Sequence, residues 1–273
     1  METKEIIAPK SYDVVGDIAI IRLPDHLREQ AGKAAQAIMQ LNKHIRTVLL
    51  QVGPVSGELR LRKLTPILGE NKTETTHKES GCTFKVDLEK CYFSPRLSFE
   101  RMRVASQVKP GEVIVNMFAG VGCFSIVIGK HSKAEKIYSI DINPDAIRYA
   151  DENVRLNRLQ GIVEVLEGDS KTIIEERLRE IADRVLMPLP ERAYEYLEYG
   201  ILALKPQKTG IIHYYDFMHA HKHEDPVEKT VTKISSKLEN LGVDFNVAYG
   251  RVVRAVGPRW YQVVLDIEIN KKH

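Results

Sequence analysis

Between residues 112 and 217, short apolar runs alternate with segments of helical spacing, and that alternation restricts the chain to few folds. The runs are "EVIVNMF", "KIYSIDI", "VEVLEGD", "RVLMPL" and "TGIIHYYDF". Helical patterns cover 122–131, 144–157, 171–181 and 191–204, and a further one at 99–108 leads in. Nearly continuous apolar runs suit strands covered on both faces, so the pattern predicts a parallel, doubly wound α/β sheet. The last run, "FNVAYGRVVRAVGPRWYQVVLDIEIN", has no helix inside it and reads as a hairpin, adding an antiparallel strand at the C-terminal end.

The first part of the chain differs. "SYDVVGDIAIIRLP" reads as two short strands turning at Gly16, and residues 31–45 carry apolar side chains at helical spacing. "TVLLQV", "LRLRKLTPIL" and "TETTHKESGCTFKVDL" add strand-like segments, and this α+β block ends near Arg96. The expected organisation is an α+β domain over 1–96 and a doubly wound α/β domain over 97–273, a division that 273 residues allow. Neither part shows an internal repeat or low-complexity tract.

Charged residues at 28% and hydrophobic ones at 43% fit a soluble globular protein, and a net charge of +3 permits a polyanionic partner without demanding one. Three cysteines without a CxxC pair argue against a disulfide framework or a zinc site and fit a reducing, cytoplasmic setting. The N-terminus lacks an apolar core for a signal peptide. The most apolar stretch, Val113 to Gly129, is broken by Asn116 and three glycines, so no membrane span is expected. The chain reads as a monomer with neither metal nor membrane as partner.

"VNMFAGVGCFSI" sets Gly120 and Gly122 between a strand and a helix, where the backbone can approach a ligand and a helix N-terminus offers free N–H groups. It is neither GxGxxG nor a P-loop, so pyrophosphate binding is weakly supported. The next strand ends at Asp141, about twenty residues on, placed for ribose hydroxyls. A third ends at "EGDS", where Asp169 suits an adenine amino group. Each acid also has a local reading as a helix cap. Together beside a glycine loop they favour a nucleoside ligand, with S-adenosylmethionine ahead of NAD.

"RVLMPLP" halts a strand at Pro188, because proline cannot donate to a sheet ladder, and Pro190 suits the first turn of the helix that follows. "HAHKHED" places His219, His221 and His223 on a loop, better read as solvated than as a metal site. Cys123 reads as packing, and "RVVRAVGPRWY" suits either RNA backbone contact or a charged hairpin edge.

With these motifs in order, the chain resembles the archaeal and eukaryotic tRNA (guanine-37-N1)-methyltransferases, including the archaeal enzymes of wyosine synthesis. "GELRLRKL", "NKTETTHKESGCTFKVDLEKCYFSPRLSFERMRV", "NMFAGVGCFSI", "SIDINPDAI" and "MPLP" carry the resemblance over nearly the whole chain. It implies a class I, Rossmann-like methyltransferase with a mostly parallel seven-stranded sheet, S-adenosylmethionine as cofactor and the tRNA anticodon loop at position 37 as partner. It implies Glu100 as general base and Arg60 as the group that stabilises the reacting guanine. Tyr92, Arg96, Phe118, Ala119, Gly120, Gly122, Asp141, Ile142, Asp169 and Ser170 are implied to line the cofactor and base pocket. Pro188 stands where many members carry asparagine, which makes it a candidate for substrate choice. A module that contacts the tRNA elbow in many members has no counterpart in the matched region.

The chemistry needs such groups. Guanine N1 carries a proton at neutral pH, which a carboxylate must remove, while charge growing on O6 calls for a guanidinium. Glu100 has a structural reading too, pairing with Arg103 or Arg96 within one helical turn, and Arg60 one in a basic strand that meets only phosphates. An aminocarboxypropyl transferase of wyosine synthesis and a non-catalytic tRNA-binding protein are the alternative functions.

Overall fold

The computed structural model describes residues 12–271 apart from 56 and 207. Its centre is a seven-stranded sheet built from β7 (Val113–Asn116), β8 (Lys136–Asp141), β9 (Val163–Glu167), β10 (Arg184–Met187), β11 (Gly210–His219), β12 (Asp244–Gly257) and β13 (Trp260–Asn270). Strand order is β12-β13-β11-β10-β7-β8-β9. β9, β8, β7, β10 and β11 pair in parallel, and β13 runs antiparallel to both β11 and β12. The doubly wound sheet with its antiparallel C-terminal strand is therefore as the alternation predicts.

Helices α2 (Ser98–Gln107), α3 (Cys123–His131), α4 (Pro144–Leu156), α5 (Ser170–Arg177) and α6 (Ala193–Ala203) connect and cover the strands. A seventh, α7 (Pro226–Asn240), lies between β11 and β12 and was absent from the expectation. Asp225 caps it by accepting from the Val227 N–H, Pro226 fills its first turn, and Thr230, Ile234 and Leu238 bury its inner face. α6 starts two residues later than expected, at Ala193, because Pro190 sits in a turn closed by Arg192 N–H donating to the Leu189 carbonyl.

The N-terminal part forms a four-stranded sheet, β1 (Asp13–Val15), β2 (Ile18–Ile21), β3 (Thr47–Gln51) and β4 (Leu64–Gly69), covered by α1 (Ala31–Leu41). The helix stops four residues short of the predicted end. β4 begins only at Leu64, so Arg60 lies not in a strand but in a turn, with φ of +56°. The strand pair at Gly16 forms as expected, and no other residue fits there, since a Cβ would meet Thr75 Oγ1 at 2.2 Å.

The hairpin β5 (Glu74–Glu79) and β6 (Cys82–Asp87) joins the two parts. It leans on α4 through amide side chains. Asn153 accepts from the Lys85 N–H at 2.7 Å and donates to the Lys85 and Val121 carbonyls, while Asn157 brackets Thr83 in the same way. Phe84 and Val86 of the hairpin share one core with Val121 of the loop after β7, Phe124 and Val127 of α3, and Ile18 and Leu49 of the N-terminal sheet. Removing Asn153 orphans the buried Val121 carbonyl, at about 1–3 kcal/mol, and two part-buried backbone groups of Lys85 that cost less. Asn153→Ala is thus expected to cost at least about 2–4 kcal/mol in urea unfolding, and a loss below about 0.5 kcal/mol would show that the joint is not there.

Candidate active site

At the C-terminal ends of β7, β8, β9 and β10 a cleft of about 1030 Å³ opens, the place where an open α/β sheet binds its ligands. The glycine loop forms its floor. Gly120 and Gly122 both have positive φ, +55° and +86°, which glycine adopts without strain. Gly122 caps α3 and packs beneath the loop rather than lining the cleft, whereas Phe118, Ala119 and Gly120 face it.

Asp141 ties the loop to β8. Its carboxylate accepts from the Gly120 N–H at 2.6 Å and from the Asn143 N–H at 3.0 Å. Burial pushes its acidity toward weaker, opposed by those backbone donors. Capping of α4 falls instead to Asn143, whose side chain accepts from Asp145 N–H, so the capping reading of Asp141 is set aside. Asp169 does cap its helix: it accepts from the Lys171 N–H at the start of α5, and its other oxygen accepts from the Tyr196 hydroxyl at 3.0 Å. Ser170 donates to the Met117 carbonyl, fastening the start of α5 to the end of β7.

Apolar groups complete the walls. Ile142 keeps 47% of its surface exposed although it lines the cleft, and Phe118 meets Tyr196 edge-on at 5.3 Å. A buried carboxylate for a diol, a second acid for an amino group and two apolar faces for a purine fit an adenosine moiety. The donor set of this cleft therefore suits S-adenosylmethionine.

The outer part of the cleft belongs to Arg60 and Tyr92. The Arg60 guanidinium lies 4.5 Å from the Tyr92 ring centroid and 3.2 Å from Glu191. Burial disfavours ionisation of the Tyr92 hydroxyl, but Arg254 and Arg60 nearby outweigh it and hold the phenol below its usual range. Pro188 and Leu189 also line the cleft. Cys123 also lines the cleft, yet burial pushes its thiol up to about 12, leaving it a packing group.

Besides Gly122, two expected members stand apart. Arg96 points into a neighbouring cavity and pairs with Asp13 at 2.6 Å. Glu100 is 1% exposed and does not line the cleft. Its structural reading is realised: Arg103 donates to both its oxygens at 2.7–3.1 Å, the Tyr215 hydroxyl donates at 2.8 Å, and Arg251 lies 3.3 Å away.

This ion pair is one link in a chain. Arg103 also grips Asp266 at 2.5 Å, Asp266 meets His213 Nδ1 at 2.6 Å, and Arg184 donates to His213 Nε2 at 2.7 Å before pairing with Glu112 at 2.8 Å. An arginine only donates, so Nε2 accepts and the proton sits on Nδ1, facing Asp266. Burial holds the His213 imidazole neutral, below its ordinary 6.5.

Comparison with known proteins decides the lineage. Residues 75–244 match the family model described as the TRM5/TYW2 methyltransferase domain, and residues 2–73 match the TYW2 N-terminal domain. The chain belongs to the TRM5/TYW2 methyltransferase family. A tRNA (guanine(37)-N(1))-methyltransferase, Trm5b of Pyrococcus abyssi, is 41% identical over 96% of this chain and 76% of its own. A tRNA 4-demethylwyosine(37)-methyltransferase, Taw21 of Saccharolobus solfataricus, is 37% identical over 96% of this chain and 94% of its own. Among solved structures, a complex of aTrm5 and tRNALeu superposes with a TM-score of 0.82 at 36% identity, covering 98% of this chain and 75% of that one. The TYW2 of M. jannaschii in complex with AdoMet gives 0.71 at 27%, covering 96% and 100%.

Membership in the TRM5/TYW2 family does not single out every group found here. Asn143, Arg101 and Tyr196 escape the sequence reading, although an Asn-Pro pair after a strand signals a cap. Arg101 is 3% exposed and lines the cleft while pairing with Glu79. The histidine tract lies apart, and His219 ends β11 opposite Trp260 rather than lying on the loop with His221 and His223; it meets His221 and Trp260 edge-on, and the described residues hold no cluster fit for a metal. No helix among them is long and apolar enough to cross a membrane.

Two outcomes follow for this family member. Asp141→Asn removes the charge that a ribose diol would meet, so affinity for S-adenosylhomocysteine by calorimetry is expected to fall about 10–100-fold; unchanged affinity would remove Asp141 from the site. His213 is neutral when folded, so its share of stability is full above 6.5 and is lost as pH falls toward its lower folded value. The melting midpoint of the protein is expected to drop between pH 7.5 and 5.5, with a flatter slope in His213→Gln; equal slopes would contradict the assignment.

Proposed function

We propose that this protein methylates N1 of the guanine at position 37 of tRNA with S-adenosylmethionine as donor. The observation that carries the reading is the placement of the Arg60–Tyr92 pair at the mouth of an adenosine-shaped cleft, in a chain of this family. When bound, S-adenosylmethionine supplies an electrophilic methyl group. Asp141 and Asp169 hold the nucleoside end, and Phe118 and Ile142 exclude water from its faces. Tyr92 offers a flat ring for the target base, and Arg60, stacked on that ring, is placed to donate a forked pair to charge developing on O6.

Glu100 serves as base only once partly freed. Arg251, with 26% of its side chain exposed, is the partner that an approaching RNA phosphate can draw away, leaving Arg103 Nε as the remaining donor to the Glu100 oxygen it meets. Arg103 and Tyr215 continue to aim the carboxylate. Arg96, at the rim, faces RNA rather than cofactor in this reading. The N-terminal part, to about residue 96, acts as the accessory RNA-binding domain, and the site of action is the cytoplasm. The acting unit in this proposal is a monomer.

A second substrate has its own support. Pro188 offers a fixed φ and no N–H where a side-chain amide would narrow the slot, and the Saccharolobus relative is named for 4-demethylwyosine. We propose that the slot also admits that tricyclic base.

Single-turnover reactions with labelled S-adenosylmethionine and unmodified tRNA test the first reading. The expected products are 1-methylguanosine and S-adenosylhomocysteine; methylthioadenosine would instead mark transfer of the aminocarboxypropyl group. Glu100→Gln is expected to slow the step by about 10²–10⁴-fold with cofactor affinity kept, and a change under about threefold would confine Glu100 to the ion-pair chain. Pro188→Asn is expected to reduce turnover of tRNA carrying 4-demethylwyosine at position 37 more than that of guanine; equal effects would defeat the second reading.

A further inference from the structure

Beside the cleft lies a second cavity of about 720 Å³ that the scheme above leaves unused. Arg22, Arg60, Arg62, Arg96 and Arg254 line it, against a single lining carboxylate, Asp13. Such a concentration of one charge has a cost unless something negative enters.

Arg62 is the telling member. It is 4% exposed, and one amino group donates to the Phe93 carbonyl at 2.8 Å. Its Nε and Nη1 have no hydrogen-bond partner among the described residues, and Asp13 stands 3.8 Å from Nη1, beyond hydrogen-bonding reach. A buried guanidinium with idle donors is unsatisfied, and an oxyanion meets it best by accepting two parallel N–H bonds.

The neighbours are already braced for that role. Arg254 donates to Gln262 at 2.8 Å, to Ser94 at 3.0 Å and to the Tyr92 hydroxyl at 3.1 Å. Arg22 is held by Gln51 at 3.0 Å. Tyr92 forms a wall common to this cavity and the cleft: Arg60 covers its face and Arg254 grips its hydroxyl. A nucleotide whose base lies against Tyr92 in the cleft has its own backbone within reach of the arginine cavity.

We propose that the arginine cavity, with Arg62 at its base, binds a backbone phosphate flanking the flipped target nucleotide and so fixes the depth to which the base enters. This rests on the reading of tRNA as substrate. Phosphate and the carboxylate of S-adenosylmethionine share the chemistry of an oxyanion, and the cavity's position behind Tyr92, away from Asp141 and Asp169, favours the phosphate.

The test is a cycle between protein and RNA on the full chain, measured as binding without cofactor so that methyl transfer plays no part. The probes are an anticodon stem-loop and the same RNA with a neutral methylphosphonate at the phosphate 5′ or 3′ of position 37. Arg62→Gln is expected to weaken binding of the unmodified RNA about tenfold and to lower the salt slope of log K by about 0.7–1. One of the two methylphosphonates is expected to cause a similar loss with wild-type protein and little further loss with Arg62→Gln. Arg22→Gln, an exposed substitution at the rim, is expected to show the same non-additivity at about threefold and serves if Arg62→Gln fails to fold. Additive losses at both phosphates, with RNA still bound, would overturn this inference alone. Unchanged RNA binding with weaker S-adenosylmethionine binding would assign the cavity to the cofactor carboxylate. Absence of any RNA binding by the wild type would overturn the substrate reading as well.

Discussion

Arg103 is the interaction on which the rest of the site depends. Its one guanidinium grips Glu100 within α2 and Asp266 on β13, 163 residues further along the chain. Through Asp266 it reaches His213 on β11, then Arg184 on β10 and Glu112 at the foot of β7. Charges along this chain alternate, with a neutral imidazole between Asp266 and Arg184, so no buried charge is left uncompensated. Removing one partner from such a set leaves an unpaired buried charge, at a cost of about 3–5 kcal/mol. The antiparallel strand β13 is thereby locked to the helix that presents Glu100, and a candidate base is aimed by the sheet rather than by a loop.

The same economy operates at the cofactor end. The buried carboxylate of Asp141 joins the glycine loop to the β8 terminus, and Asp169 joins α5 to Tyr196 of α6. Each acid thus satisfies a local hydrogen-bonding need while turning remaining acceptor capacity toward the cleft. For Asp169 the capping contact leaves room for a ligand, because a carboxylate has about four acceptor sites, whereas Asp141 caps no helix and holds the glycine loop instead.

Much of the sheet is legible in the amino-acid sequence because parallel strands covered on both faces read as unbroken apolar runs. β10, "RVLM", is fully buried, and its end at Pro188 follows from the missing N–H. α7 was also written in the chain, with Asp225-Pro226 as cap and Val227, Val231, Ile234 and Leu238 at helical spacing, but its charged outer face masks the pattern. Arg60 looked like a strand residue since basic and apolar residues alternate there; the positive φ that turns it toward Tyr92 has no local signature. Glu100 with Arg103 is the i, i+3 pair that the sequence offers, whereas the contacts of Glu100 with Tyr215 and Arg251 and of Arg62 with the Phe93 carbonyl were out of reach for a different reason. They depend on residues brought together by the joining of sheet, hairpin and helix, and no local period records which arginine meets which carboxylate.

In the proposed reaction the cleft acts on the N1–H and O6 edge of the base, with a carboxylate taking the proton and Arg60 meeting the oxygen. Replacing guanine at position 37 by inosine keeps that edge and removes only the exocyclic amino group, whereas 2-aminopurine keeps the amino group and lacks both N1–H and O6. Single-turnover methyl transfer to the two substituted tRNAs compares them directly. The account predicts methylation of inosine and none of 2-aminopurine; methylation of 2-aminopurine, or none of inosine, would contradict it.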